Sequence, residues 1–145
     1  MKMKQLSVFL ENKPGSLSEP CRLLAKAGIN IQTFSLADTQ EFGILRLIVE
    51  DSDKARRLLQ RNGFAVKITK VVALDVPDKP GGLAAILDAL DGTGINVKYA
   101  YAMTTRSADA CVLIFCFDDP ETAIDILKKK GFGAAVGEPE KPAKK

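Results

Sequence analysis

The chain repeats itself. Asn12-Lys13-Pro14-Gly15-Ser16-Leu17 returns as Asp78-Lys79-Pro80-Gly81-Gly82-Leu83, and Gly28-Ile29-Asn30-Ile31 returns as Gly94-Ile95-Asn96-Val97. Both pairs of segments lie 66 residues apart, whereas Gly63-Phe64 and Gly131-Phe132 lie 68 apart, so two residues entered the second copy between these landmarks. A period this long marks a duplicated domain and not a solenoid unit. The repeated words are loop words, and loops held on a rigid scaffold are where binding usually sits.

Length alone, at 145 residues, would suggest one domain. The duplication divides it into residues 1–69 and 70–137, followed by a Pro- and Lys-containing tail, 138–145, whose composition predicts disorder. Domains this small are marginal alone, so the halves are expected to pack on each other or on another copy. The net charge of +3 owes much to Lys141, Lys144 and Lys145 in that tail. Without a concentrated basic stripe, nucleic-acid affinity has no evident electrostatic source. The apolar stretch Leu6 to Leu10 is too short for a secretion signal, and no stretch reaches membrane-spanning length. Three cysteines in no motif suit a reducing cytoplasm.

Pattern gives each half the same order. Leu6 to Leu10 reads as a strand closed by the Asn-Lys-Pro-Gly turn. Ser16 and Glu19 have the spacing of a capping box for a helix carrying Leu17, Cys21 and Leu24 and stopped at Gly28. Ile29 to Leu36 and Gly43 to Val49 read as strands around a polar turn, Ala37 to Phe42. A helix capped by Asp51 or Ser52 carries Ala55, Leu58 and Leu59 and stops at Asn62-Gly63, and Phe64 to Ile68 is the last strand. The second half repeats this. Val71 to Val76 is a strand, and Leu83, Ile86, Leu87 and Leu90 line a helix. Ile95 to Met103 and Cys111 to Phe117 are strands around a polar turn, Thr104 to Asp109. Asp119-Pro120 opens a helix that buries Ala123, Ile126 and Leu127, and Phe132 to Val136 closes the domain. Thr69-Lys70 is the only polar break between the halves. The predicted fold is α+β: two tandem ferredoxin-like βαββαβ domains with antiparallel sheets.

The Pro-Gly turns are the chemically suggestive sites. A helix N-terminus presents unpaired N–H groups and partial positive charge. Gly15 and Gly81 let a ligand approach the backbone closely, so main-chain donors could hold a carboxylate there. Asn12 offers a donor and an acceptor, while ionised Asp78 offers only acceptors, which suits an ammonium group. A receptor for a zwitterion and a plain strand-to-helix turn both fit these residues. Asn30 and Asn96 read either as turn asparagines bonded to their own backbone or as ligand contacts. Their retention in both copies, while Gln32 differs from Lys98 and Phe34 from Ala100, weighs toward contacts.

Catalysis finds little support. The chain has no histidine, the commonest general base. Cys111 and Cys116 are five apart on a predicted strand and face opposite sides. Cys21, Cys111 and Cys116 read as small buried hydrophobes. No metal-ligand or cofactor motif is present, and Lys79-Pro80-Gly81-Gly82 lacks phosphate-loop spacing. An RNA-binding reading of the same topology fails because Ile44, Leu45 and Leu47 stand where stacking rings are needed.

The duplicated Pro-Gly turn with its Gly-Ile-Asn resembles the ACT domain over about residues 4 to 137. The resemblance implies a stand-alone tandem sensor of a free amino acid, non-enzymatic, without cofactor or metal. It would be dimeric and would act on a metabolic enzyme. It implies that the ligand lies between two ACT units, against Asn12, Gly15, Ser16 and Leu17 of the first loop, or Asp78, Gly81, Gly82 and Leu83 of the second, and against Asn30 or Asn96. Leu10 stands where some serine-sensing members carry histidine, which argues against serine. The alternatives are a subunit that docks on a biosynthetic enzyme such as acetohydroxyacid synthase, and a small enzyme with a cleft of converging ionisable groups.

Overall fold

The structure, a computed structural model, describes residues 1–38, 41–107 and 110–133. In chain order the elements are β1 (Lys2–Glu11), α1 (Ser18–Lys26), β2 (Ile31–Asp38), β3 (Phe42–Val49), α2 (Ser52–Arg61), β4 (Ala65–Pro77), α3 (Gly82–Leu90), β5 (Val97–Ser107), β6 (Ala110–Phe117) and α4 (Pro120–Lys129). The fold is α+β with antiparallel strands, the tandem ferredoxin-like arrangement that the repeat predicts.

Two compact units divide the chain. In the unit Lys4–Thr69, the strands run in the order β2-β3-β1-β4. Leu6 lies opposite Leu47 and Val8 opposite Leu45, so alternate residues of β1 and β3 share one face. Those residues are buried with Leu24 of α1 and with Ala55 and Leu59 of α2 in the first core.

The other unit consists of Met1–Met3 and the chain from Lys70. Its strands run β4-β6-β5. Val72, Leu74 and Val76 of β4 meet Phe115 and Phe117 of β6, Ile86 and Leu90 of α3, and Leu127 of α4 in the second core. The two phenylalanine rings, two residues apart on one strand face, stack with centroids 5.5 Å apart. Lys130 Nζ donates to the Ala89 carbonyl at 2.5 Å, tying the end of α4 to the end of α3. The first three residues belong here because the Ala73 N–H donates to the Met1 carbonyl at 2.8 Å and the Met1 side chain packs on this core.

Several sequence expectations are corrected. The strands expected at Phe64 to Ile68 and Val71 to Val76 are one strand, β4. Thr69 and Lys70 continue the strand although exposed Lys70 interrupts the apolar alternation of Val66, Ile68 and Val72. Ser16 does not cap α1: the N-cap is Leu17, with no side-chain bond. Leu83 and Leu87 do not line the core but are 45% and 42% exposed, leaving Ile86, Ala89 and Leu90 as the buried stripe. Residues 104–107, expected in a turn, belong to β5. Phe132 and Gly133 are not in a strand. Residues 134–136 of that expected strand, the tail and positions 39–40 and 108–109 lie outside the described residues. The stops at Gly28 and Gly63 and the caps at Asp51 and Asp119 are where the pattern put them.

Candidate functional site

Among the described residues, the four helices begin in two different ways. Asp51 caps α2 by accepting from the Lys54 N–H at 3.0 Å, and Asp119 caps α4 by accepting from the Thr122 N–H at 3.1 Å. Thr122 Oγ1 also donates to Asp119 at 2.6 Å. These bonds, side chain first, hold the Asp119 carboxyl below its ordinary range. The helices that follow the Pro-Gly turns, α1 and α3, have no side-chain cap. The first-turn N–H groups of Ser18 and Glu19 in α1, where Pro20 has none, and of Leu83 and Ala84 in α3, where the Gly82 N–H is taken by the Lys79 carbonyl, are therefore left for water or a ligand.

Both turns are built alike. The Ser16 N–H donates to the Lys13 carbonyl and the Gly82 N–H to the Lys79 carbonyl. Gly15 and Gly81 have φ of +85° and +88°, a region that L side chains enter at a cost. A Cβ built on Gly81 would meet nothing within 4 Å, whereas one on Gly82 would lie 2.1 Å from the Pro77 carbonyl oxygen. Gly81 thus serves the turn's backbone, and Gly82 serves the close approach of α3 to the end of β4.

In the first unit, Asn12, Ser16 and Leu17 line a cleft with Leu36, Ala37 and Asp38. Its volume is near 80 Å³, room for two or three waters at about 30 Å³ each. Asn12 is exposed, and its N–H donates to the Glu41 carbonyl at 3.1 Å. Beside it, Lys13 Nζ pairs with Glu11 at 2.9 Å, and that carboxylate raises the Lys13 pKa. In the second unit the equivalent of Glu11 is Pro77, and the carboxylate moves one place to Asp78, which is exposed.

Asn30 and Asn96 are exposed and lie at the other end of their helices from the loops. Asn96 borders a second cleft, with Leu87, Gly94, Ile95 and Val97, which includes none of residues 78–83. Its N–H donates to Asp118 Oδ1 at 3.0 Å, and its carbonyl accepts from the Asp118 N–H at 3.1 Å. A helix of nine residues is about 13 Å long, so a small ligand on a loop cannot reach the asparagine of the same unit.

Sequence reasoning did not see the irregularity that follows each asparagine. The register of β2 shifts between Ile31 and Thr33, and that of β5 between Val97 and Tyr99, the same place in both copies. Such bulges re-aim side chains at sheet edges and near sites. Leu36 was read as the end of a strand, and nothing in its pattern revealed that it borders the loop.

No set of three or more metal-ligating side chains gathers among the described residues. Cys21 is half-buried, and burial raises its thiol pKa, opposite to what a nucleophile needs. Among the described residues, no helix is long and apolar enough to cross a membrane.

Residues 1–137 match the family described as an ACT domain pair. The chain belongs to that family, whose domains are regulatory modules. It is similar over 93% of its length, at 39% identity and a TM-score of 0.86, to a protein of Bacteroides thetaiotaomicron of known crystal structure, 92% of which is covered. The regulatory subunits of aspartate kinase from Thermus thermophilus and Thermus flavus share the fold, each with a TM-score of 0.60, at 17% and 14% identity. The alignments cover 87% and 89% of this chain and 91% and 94% of those subunits. No curated protein matches the sequence.

Proposed function

We propose that the chain is a cytoplasmic, non-enzymatic sensor that binds a free amino acid between ACT units of two copies and modulates a metabolic enzyme. One observation carries the reading. The two helices behind the Pro-Gly turns lack side-chain caps, while the other two are capped by aspartate. The same kind of helix start is left open in both copies, where a ligand carboxylate could accept from backbone N–H groups. Asn12 or Asp78 would meet the ammonium group, and Gly15, Ser16, Leu17, Gly81, Gly82 and Leu83 would form the floor. Asn30 or Asn96 would come from another unit, because each lies a helix length from its own loop. The 80 Å³ cleft is too small to enclose an amino acid alone, which also favours a shared site.

A thermal-shift screen of all proteinogenic amino acids tests this. A ligand of the folded state at a hundred times its Kd adds about 2.7 kcal/mol to stability. One amino acid, or a chemically related group, should raise Tm at millimolar concentration. A flat response to all of them ends the reading.

A further inference from the structure

The second helix of each copy carries a different charge pattern. The period places Arg57, Gln60 and Arg61 of α2 at the positions of Asp125, Lys128 and Lys129 of α4. In α4, Lys129 Nζ pairs with Asp125 at 3.8 Å, four positions back, a favourable arrangement on a helix surface. In α2 both members of that pair are arginine, and like charges at this spacing oppose the helix. Lys54, three positions before Arg57 and on the same side, adds a third cation. All three are exposed, and none has an ion pair or a side-chain hydrogen bond among the described residues. The ordinary uses of basic residues near a helix end do not account for them. Such side chains often hydrogen-bond the terminal carbonyls, but here those carbonyls are already taken. Asn62 Nδ2 donates to the Leu58 carbonyl at 2.8 Å. The Asn62 and Phe64 N–H groups donate to the Leu59 carbonyl at 3.1 and 3.0 Å, and the Gly63 N–H donates to that of Gln60 at 3.1 Å. Arg61 lies in the last turn, where it also complements the helix dipole, but Arg57 does not. Asp53, the carboxylate one turn before Arg57, is engaged by Lys4 at 3.6 Å and Arg56 at 3.9 Å. Arg57, Gln60 and Arg61 together line an open cleft of about 390 Å³, a ligand-sized volume. Gln60, between the two arginines, is tied to β4 by its Nε2, which donates to the Val66 carbonyl at 3.5 Å.

We infer that the Arg57–Arg61 cleft is an anion site whose ligand is a small phosphorylated compound. Side chains one turn apart on a helix have Cβ atoms about 5–6 Å apart, so two guanidinium forks can close on one phosphoryl group with paired hydrogen bonds. The bound anion would turn the repulsion between Arg57 and Arg61 into attraction, which the second copy obtains from Asp125. Lys54 would meet a second phosphoryl group. Three cations over seven positions, about 10 Å of helix, are too short a track for a nucleic acid, whose binding draws on many phosphate contacts. The site shares no residue with the Pro-Gly loops or with Asn30 and Asn96, and it stands apart from the sensing reading.

Calorimetric titration of the full chain tests the site, with inorganic phosphate, pyrophosphate and adenosine triphosphate as probes at matched ionic strength. At least one of them should bind saturably. Arg57→Asp should weaken that binding about tenfold or more, because charge-assisted hydrogen bonds are lost and a carboxylate then faces the anion. The same substitution recreates the acid–base pair that α4 has, so the Tm of Arg57→Asp without anion should equal or exceed that of wild type. That readout separates loss of the site from loss of the fold. Arg57→Lys keeps the charge without the fork and should bind between wild type and Arg57→Asp. Phosphate or pyrophosphate binding as well as the nucleotide would assign the site to the phosphoryl group alone, and a preference for adenosine triphosphate would assign it to a nucleotide. No saturable binding of any probe, or wild-type affinity in Arg57→Asp, overturns the site. Sulfate binding as well as every phosphoryl probe, or a single-stranded oligonucleotide binding more tightly than all of them, overturns the assignment of the ligand.

Discussion

Lys2 and Glu121 are 119 positions apart in sequence, yet Lys2 Nζ donates to both carboxylate oxygens of Glu121, at 2.8 and 2.9 Å. With the Ala73 to Met1 hydrogen bond, this fixes the first residues of β1 onto the second unit. Deleting residues 2–3 should therefore loosen a region more than seventy positions away. One backbone hydrogen bond is worth about 1 kcal/mol net, so the Ala73 amide should exchange several-fold faster by hydrogen–deuterium exchange. The amides of Leu24 and Leu59, in the first core, should not change.

The same ion pair holds the Glu121 pKa below its ordinary value of 4.5. Asp119 is held below 3.8 by Thr122. A depressed folded-state pKa means that the stabilisation is present above the unfolded value and is lost as pH falls through the folded one. The second unit should lose stability as pH drops below the ordinary carboxylate range. Asp119→Asn, which keeps an acceptor but cannot titrate, should flatten that acid limb in Tm measured against pH. An unchanged limb would show that these carboxyls do not control it.

The different helix starts predict different costs. Asp51→Ala should lower stability by about 1 kcal/mol through loss of the α2 cap. Ser16→Ala should stay within about 0.5 kcal/mol of wild type, because Ser16 caps nothing, yet it should alter any amino-acid affinity. Denaturant melts and the ligand screen on both variants check this pair of outcomes.

Much of the fold could be read before the structure because the duplication provides two independent copies of each signal. Helix stops at Gly28 and Gly63 and caps at Asp51 and Asp119 depend on local chemistry, and local chemistry is written in neighbouring residues. The unbroken β4 was missed because Thr69-Lys70 is polar, stands between two apolar runs and interrupts their alternation, while the backbone ladder that carries the strand through it does not depend on side-chain polarity. The exposure of Leu83 and Leu87 was missed for a different reason. Helix α3 is apolar nearly all round, so its buried stripe is set by tertiary packing and not by its own pattern. The attachment of Met1–Met3 to the second unit leaves no sequence trace, since strand pairing at long range depends on register. For the site, the pattern located both turns and put a helix between each turn and its asparagine, but not the register shifts after Asn30 and Asn96 nor Leu36 beside the first loop.

Two glycines in the second loop should fail in different ways. Gly81→Ala forces a side chain into positive φ, at about 1–2 kcal/mol, with no collision to relieve. Gly82→Ala collides with the Pro77 carbonyl, so α3 must move from β4, and the loss should be larger. Denaturant melts rank the two, and equal costs would mean that the backbone absorbs the contact.

The two loops should differ as sites because their carboxylates differ in place and in pairing. In the first, Glu11 is engaged by Lys13 at 2.9 Å, which leaves neutral Asn12 toward the cleft. In the second, Pro77 replaces the glutamate and Asp78 carries the charge with no ion pair among the described residues. An ammonium group beside residue 78 would gain a charge-assisted hydrogen bond there and not at residue 12. Asp78→Asn should then weaken the second site by about 1.5 kcal/mol or more, roughly tenfold in Kd, and leave the first unchanged. Asn12→Asp should strengthen the first site by a smaller factor, since Glu11 and Lys13 already set the local charge. Calorimetric titration of wild type and both variants, with the amino acid found by thermal shift, resolves the two classes. If Asp78→Asn tightened binding instead, the carboxylate of the ligand would be the group facing residue 78, and the orientation proposed here would be reversed.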